Sequence, residues 1–202
     1  MVNRAHLCVS NHESIYPTFG DPSYDPTVNT VATCARSVPL LWFALFRPKD
    51  LVKRVFDTDD GPYVVIAPIA PCVQALANLT AALPRLVELF AVQGSLDENA
   101  RLLARAILQA PGDRVTIEWD EIDVITEGDF LADAAAAMSS LDPATPGDTV
   151  ADRARLLRLS GIGRPDRRFP HPTAALGGDQ GNFQETGPQS RLIGVRLGGF
   201  FG

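Results

Sequence analysis

Lysine is almost missing from this chain. Only Lys49 and Lys53 are present, and the other sixteen of the eighteen basic residues are arginine. Together with abundant alanine this reflects GC-rich codon usage rather than chemistry. Cysteine is scarce too: Cys8, Cys34 and Cys72 are far apart, with no C-x-x-C pair, which argues against a zinc knuckle or a dithiol redox motif. Buried free thiols in a reducing compartment, hence a cytoplasmic protein, are expected. Long apolar runs are lacking. The longest, residues 38–46, has nine residues and includes Pro39, whereas a membrane helix needs roughly 20. The first nine residues lack the apolar stretch of a secretory signal.

Familiar catalytic signatures are also missing. There is no G-x-S-x-G elbow, P-loop, dinucleotide fingerprint, H-x-x-x-H or H-E-x-x-H. No cofactor and no metal is therefore expected. The three histidines are His6, His12 and His171. On a strand, His6 and Cys8 would share one face, as a thiol–imidazole pair or simply as part of a packed sheet. Residues 57–61 resemble the opening of a calcium loop, but the glycine comes one place early and no glutamate closes the loop. A turn explains them better. Gly161-Ile162-Gly163 is only a partial glycine motif, following a helix.

What is present suits a folded chain. Hydrophobic residues form 46% and charged residues 21% of the 202, which supports a core and excludes wholesale disorder. The net charge of −6 argues against general binding to nucleic acid or an anionic membrane, because phosphate binding needs a concentrated positive surface.

Hydrophobic spacing predicts strands over residues 4–9, 63–67 and 114–119. It predicts a short buried helix over 38–46, with Ser37 as its cap, and further helical turns over 49–55. A helix over 72–91 contains Pro84, which should kink or split it. Ser95-Leu96-Asp97-Glu98 reads as a capping box opening the next helix, with Leu102, Leu103, Ile107 and Leu108 as its apolar stripe. Two more helices are predicted over 130–141 and 149–159. Residues 11–36 read as one long irregular connection. The fold class expected is α+β: a small mixed or antiparallel sheet packed against several helices, with a Pro/Gly-rich C-terminal arm. Residues 1–160 would form a single globular domain. Residues 161–202 would form the arm, with a terminal strand near 191–197 that pairs with the sheet or with a neighbour.

The sharpest charge feature is an acidic block. From Asp113 to Asp148 there are ten acids and one base, densest at Glu118, Asp120, Glu121 and Asp123 around Trp119. An exposed aromatic residue among acids fits an interface for a basic protein surface; a solvated helix face is the plainer alternative. Six arginines follow between Arg153 and Arg168, either as an anion site or as internal neutralisation of the acids.

The start Asn3-Arg4-Ala5-His6-Leu7 resembles the N-R-A-Y-L opening of a group of bacterial cytosolic proteins without assigned activity. His6 stands where that opening has tyrosine. The similarity extends through Val38-Pro39-Leu40-Leu41-Trp42 and the turn Leu45-Phe46-Arg47-Pro48, about the first quarter of the chain. The resemblance implies no particular reaction. Small acidic bacterial proteins of this kind include toxin-immunity proteins.

Three functions are thus compatible with the sequence. The first is a non-enzymatic protein-binding module, such as an immunity or inhibitor protein for a cationic partner, using Glu118, Trp119, Asp120, Glu121 and Asp123. The second is an enzyme with a loop-assembled site drawing on His12, Asp21, Tyr24 or Arg36. The third is a structural subunit that assembles through its arm, as a homodimer for example.

Overall fold

A computed structural model describes residues 3–16, 25–58, 61–90, 93–145 and 147–160. The expected arm, 161–202, lies outside the described residues.

The fold is α+β. Five antiparallel strands, β1 (Arg4–Ser10), β2 (Asn29–Ala35), β3 (Leu51–Thr58), β4 (Gly61–Pro71) and β5 (Arg114–Glu118), lie in the order β2-β1-β5-β4-β3. Six helices accompany them among the described residues: α1 (Leu40–Phe43), α2 (Cys72–Phe90), α3 (Gln93–Gln109), α4 (Asp120–Ile125), α5 (Phe130–Ser140) and α6 (Thr149–Ser160).

The side-chain alternation of β1 divides the interior. Ala5, Leu7 and Val9 join the main core, which also takes in all of residues 40–46 and the buried faces of α2, α3, α5 and α6. Cys8, on the opposite face, packs with Tyr16 and Val28. Along β4, Val65, Ala67 and Ile69 pack with Ile15 on that second face. The segments flanking residues 17–24 therefore cover the side of the sheet away from the main core. That coverage explains why Val115 to Glu118 are buried without alternation. A strand covered on both faces loses the polar-out half of its pattern.

Several expectations need correction. Residues 11–36 are not one irregular connection, since β2 occupies Asn29–Ala35. Its N-T-V-A-T-C-A sequence is only moderately apolar, and pairing with β1 fixes it. Residues 49–55 are not helical: a single 3-10 turn, Pro48–Asp50, leads directly into β3. There the Asp50 carboxylate accepts the Arg47 backbone N–H at 2.7 Å. Ser37 does not cap α1, whose N-cap is Pro39. Instead the carbonyls past α1 are held from the side. Asn78 Nδ2 donates to Leu45 O at 3.1 Å and Arg47 Nη1 to Phe46 O at 3.1 Å. The α3 helix begins at Gln93, so Ser95 lies within it. Its buried stripe is Leu96, Ala100, Leu103 and Ile107, whereas Leu102 and Leu108 are exposed.

Two prolines are accommodated by position. Pro84 does not split α2, which runs unbroken to Phe90. Both Pro84 and Thr80, whose carbonyl loses its i+4 donor, are on the exposed side, where solvent can satisfy that carbonyl. Pro68 lies inside β4 rather than bounding it. β4 pairs with β3 through Pro68 and with β5 only from Ile69 onward. The missing N–H thus sits where the strand changes partners.

Capping fixes the last two helices. Asp129 Oδ1 accepts the Ala132 N–H at 2.9 Å, and Asp148 Oδ1 accepts those of Val150 and Ala151 at 2.9 and 3.2 Å. Both satisfy donors that a helix start leaves open.

Candidate functional site

The acidic block divides into two parts. Its later members are used within the fold. Asp133 binds Arg155 and Arg158 at 3.7 and 2.5 Å, and Asp142 approaches Arg47 at 3.5 Å. Asp152, just beyond the block, takes Arg85 and Arg155, both at 3.1 Å. Arg155 and Arg158 therefore neutralise acids internally, whereas Arg153 is exposed. Arg164, Arg167 and Arg168 lie outside the described residues.

The earlier members surround the corner between β5 and α4. Glu118 and Trp119 are buried, each about 1% exposed, which corrects the expectation of an exposed aromatic anchor. The indole lies edge-on to Phe130, with centroids 5.1 Å apart, and near Phe43 at 6.4 Å. Its Nε1–H donates to Ile66 O at 2.8 Å, so the side chain supplies a donor to β4 just before the point where β5 begins to pair with it. Glu118 points into the second face of the sheet, opposite His6 in the β1 register. Neither Glu118 nor Trp119 offers a surface to a partner.

Asp120, Glu121 and Asp123 remain at the surface, each partly exposed. The Tyr63 hydroxyl donates to Asp120 Oδ2 at 3.0 Å, and Glu121 Oε2 accepts the Arg4 backbone N–H at 2.7 Å. Among the described residues, no arginine or lysine side chain pairs with any of the three. Partial burial pushes the Asp123 carboxyl up, and the nearby charges of Asp129 and Asp120 push it further. The same helix exposes apolar residues, Val124 at 85% and Ile125 at 43%. Sequence reasoning missed these two. Their signal was an apolar pair directly after the acids, in a helix too short to bury both.

Tyr63 reports on this corner. Its hydroxyl is pushed up to about 12, first by burial and then by the Asp120 charge. Its folded value thus lies above the ordinary one near 10. The contribution to stability is full below pH 10 and is lost as pH rises through 12. In the difference titration between the wild type and Tyr63→Phe, followed by tyrosinate absorbance, Tyr63 should ionise near 12. Asp120→Asn should move it part of the way down. A midpoint near 10 in the wild type would contradict the geometry.

The second face of the sheet holds the other polar constellation. His6 Nδ1 lies 3.1 Å from Thr33 Oγ1, and Cys8 Sγ lies 3.8 Å from Thr30 Oγ1. Burial, followed by the Glu118 charge, pushes the Cys8 thiol well up, the opposite of what a nucleophilic thiolate requires. His12 Nε2 lies 3.0 Å from both Asp25 Oδ2 and Thr27 Oγ1. In a nucleophile–base–acid relay the two partners use different ring nitrogens, so this is a clasp between the two flanks of residues 17–24. Arg36 is at the far end of β1 and β2 from His12, about 20 Å away at strand rise. Asp21 and Tyr24 lie outside the described residues. Of the four residues expected for a loop-assembled site, only His12 and Arg36 are described, and these two lie apart.

Among the described residues no three His, Cys, Asp or Glu side chains gather to hold a metal ion, and no helix is long and apolar enough to cross a membrane. Compared with protein-family models, with curated proteins and with solved structures, the chain matches none.

Proposed function

We propose that the protein is a non-enzymatic binding module that recognises a basic protein surface through α4, as an immunity or inhibitor protein of the cytoplasm would. The observation that carries this reading is the sorting of the acids. The fold consumes Asp133 and Asp142 in ion pairs, while among the described residues Asp120, Glu121 and Asp123 share one short helix without a basic side chain, and the charges of Asp129 and Asp120 bear on Asp123. Carboxylates so placed gain when a cation approaches, and the exposed Val124 and Ile125 add apolar area beside them. Such a surface supports charge-steered association with an apolar anchor. Trp119 and Glu118 support the surface from inside.

The test is co-purification from native lysate. A basic protein retained by the wild type should be lost by Asp120→Lys/Glu121→Lys/Asp123→Lys and also released by salt. The triple variant should remain folded, losing about 1–3 kcal/mol of unfolding free energy, because the Tyr63 hydroxyl and the Arg4 N–H give up their carboxylate acceptors. Equal retention of the same protein by a folded triple variant would overturn the proposal.

A further inference from the structure

We infer that β3 is a self-complementary edge through which two copies of this chain pair into one continuous antiparallel sheet. Among the described residues β3 is the last strand of the sheet, hydrogen-bonded to β4 on one side only. Its two sides differ. Arg54 and Phe56 face the second side of the sheet, where the guanidinium donates to Ile15 O and lies 5.0 Å from the Phe56 ring. Lys53, Val55 and Asp57 occupy the other side and are exposed, as is Val64 opposite Val55. Among the described residues no helix buries these four side chains.

The phase of the ladder favours pairing here. Thr58 and Gly61 are partners across a two-residue connection, and the residues flanking such a turn exchange its closing hydrogen bond. Antiparallel strands alternate from there. The N–H and C=O groups of Asp57, Val55 and Lys53 therefore point away from β4, toward the open edge.

Charge on an edge strand normally prevents pairing. Among the registers centred on Lys53, Val55 and Asp57 it selects one instead. When Val55 of one copy faces Val55 of the other, Lys53 of each lies directly opposite Asp57 of its mate. Two opposite-charge pairs then flank an apolar centre, and Arg54 lies opposite Phe56. Moving the two-fold axis to residue 53 would set Lys53 against Lys53, and moving it to residue 57 would set Asp57 against Asp57. A second copy is therefore the occupant this edge fits. The chain's own segment 191–197 is the competing occupant.

Sedimentation equilibrium of the full-length chain tests this. The wild type should reach the dimer mass as concentration rises. Lys53→Asp alone, or Asp57→Lys alone, should weaken association by about tenfold, since each changes two attractive cross-strand pairs into repulsive ones. The double variant Lys53→Asp/Asp57→Lys should regain it, and an equal mixture of the two single variants should form the mixed dimer. Matching circular dichroism spectra would show that each variant is folded. A wild type that stays monomeric overturns the inference, and if deleting 161–202 then releases a dimer, the chain's own segment fills the edge. A dimer indifferent to both single reversals also overturns it.

Discussion

Trp119→Ala should cost about 3–5 kcal/mol of unfolding free energy, as for other large aromatic residues removed from a core. Three losses combine. The indole is about 1% exposed, so its full volume becomes a cavity. Its edge-on packing against Phe130 disappears. The Ile66 carbonyl loses its 2.8 Å donor. Domains of this size have only about 5–15 kcal/mol in total, so the variant should be marginal at 37 °C. Urea titration is the measurement, with the midpoint falling and the slope unchanged. Trp119→Phe separates the contributions. It keeps most of the packing and leaves Ile66 O without the indole donor, at about 1–3 kcal/mol. A loss below that range for the alanine variant would show that the core collapses around the gap.

Gly112→Ala is the second large effect. Gly112 has φ +138°, and a Cβ there would lie 2.7 Å from Ser10 O and 2.8 Å from Ser10 N and C. These are backbone atoms at the end of β1, and they cannot swing aside. The neighbouring Asp113 N–H is anchored to Ser10 O and Asn11 Oδ1, both at 3.1 Å, and Asp113 O accepts the Cys72 N–H at 2.8 Å. The turn therefore joins the ends of β1 and β4 to the start of β5. The backbone conformation alone should cost about 1–3 kcal/mol for a residue with a side chain, and the close approach adds to that. Gly128 is the control, with φ +88° and nothing within 4 Å of its added Cβ. Chemical denaturation of Gly112→Ala should show a larger loss than Gly128→Ala. Equal losses would mean that β1 yields easily.

Much of the fold is legible in the sequence, for reasons that differ by element. The all-apolar run at residues 40–46 admits only burial, and all of it is buried. α5 and α6 combine helical spacing with aspartate caps, two local signals that agree. β2 was hidden because its residues are small and half polar, and its stability comes from β1, far along the chain. β3 was hidden because Lys53, Arg54, Val55 and Phe56 are compatible with a helix, and only pairing with β4 decides the matter.

At the candidate site, charge was legible and exposure was not. The acids around Trp119 stand out in the sequence. Only the tertiary fold shows that Trp119 and Glu118 turn inward, while Asp120, Glu121 and Asp123 stay out with Val124 and Ile125. The internal neutralisation of Asp133 by Arg155 and Arg158 was legible as a basic stretch following an acidic one, although the pairs themselves join two helices and depend on how α5 and α6 pack.

The two faces of β1 and β2 also give the molecule its own pair of reporters. Cys8 is sealed beneath the flanks of residues 17–24, and Cys34 is sealed on the helical side, 3.5 Å from the Ser37 hydroxyl. A thiol reagent reaches the first when that cover lifts and the second when the helices part from the sheet. Alkylation of the native chain, read separately at the two thiols, therefore distinguishes loosening of one layer from loosening of the other without any label being introduced.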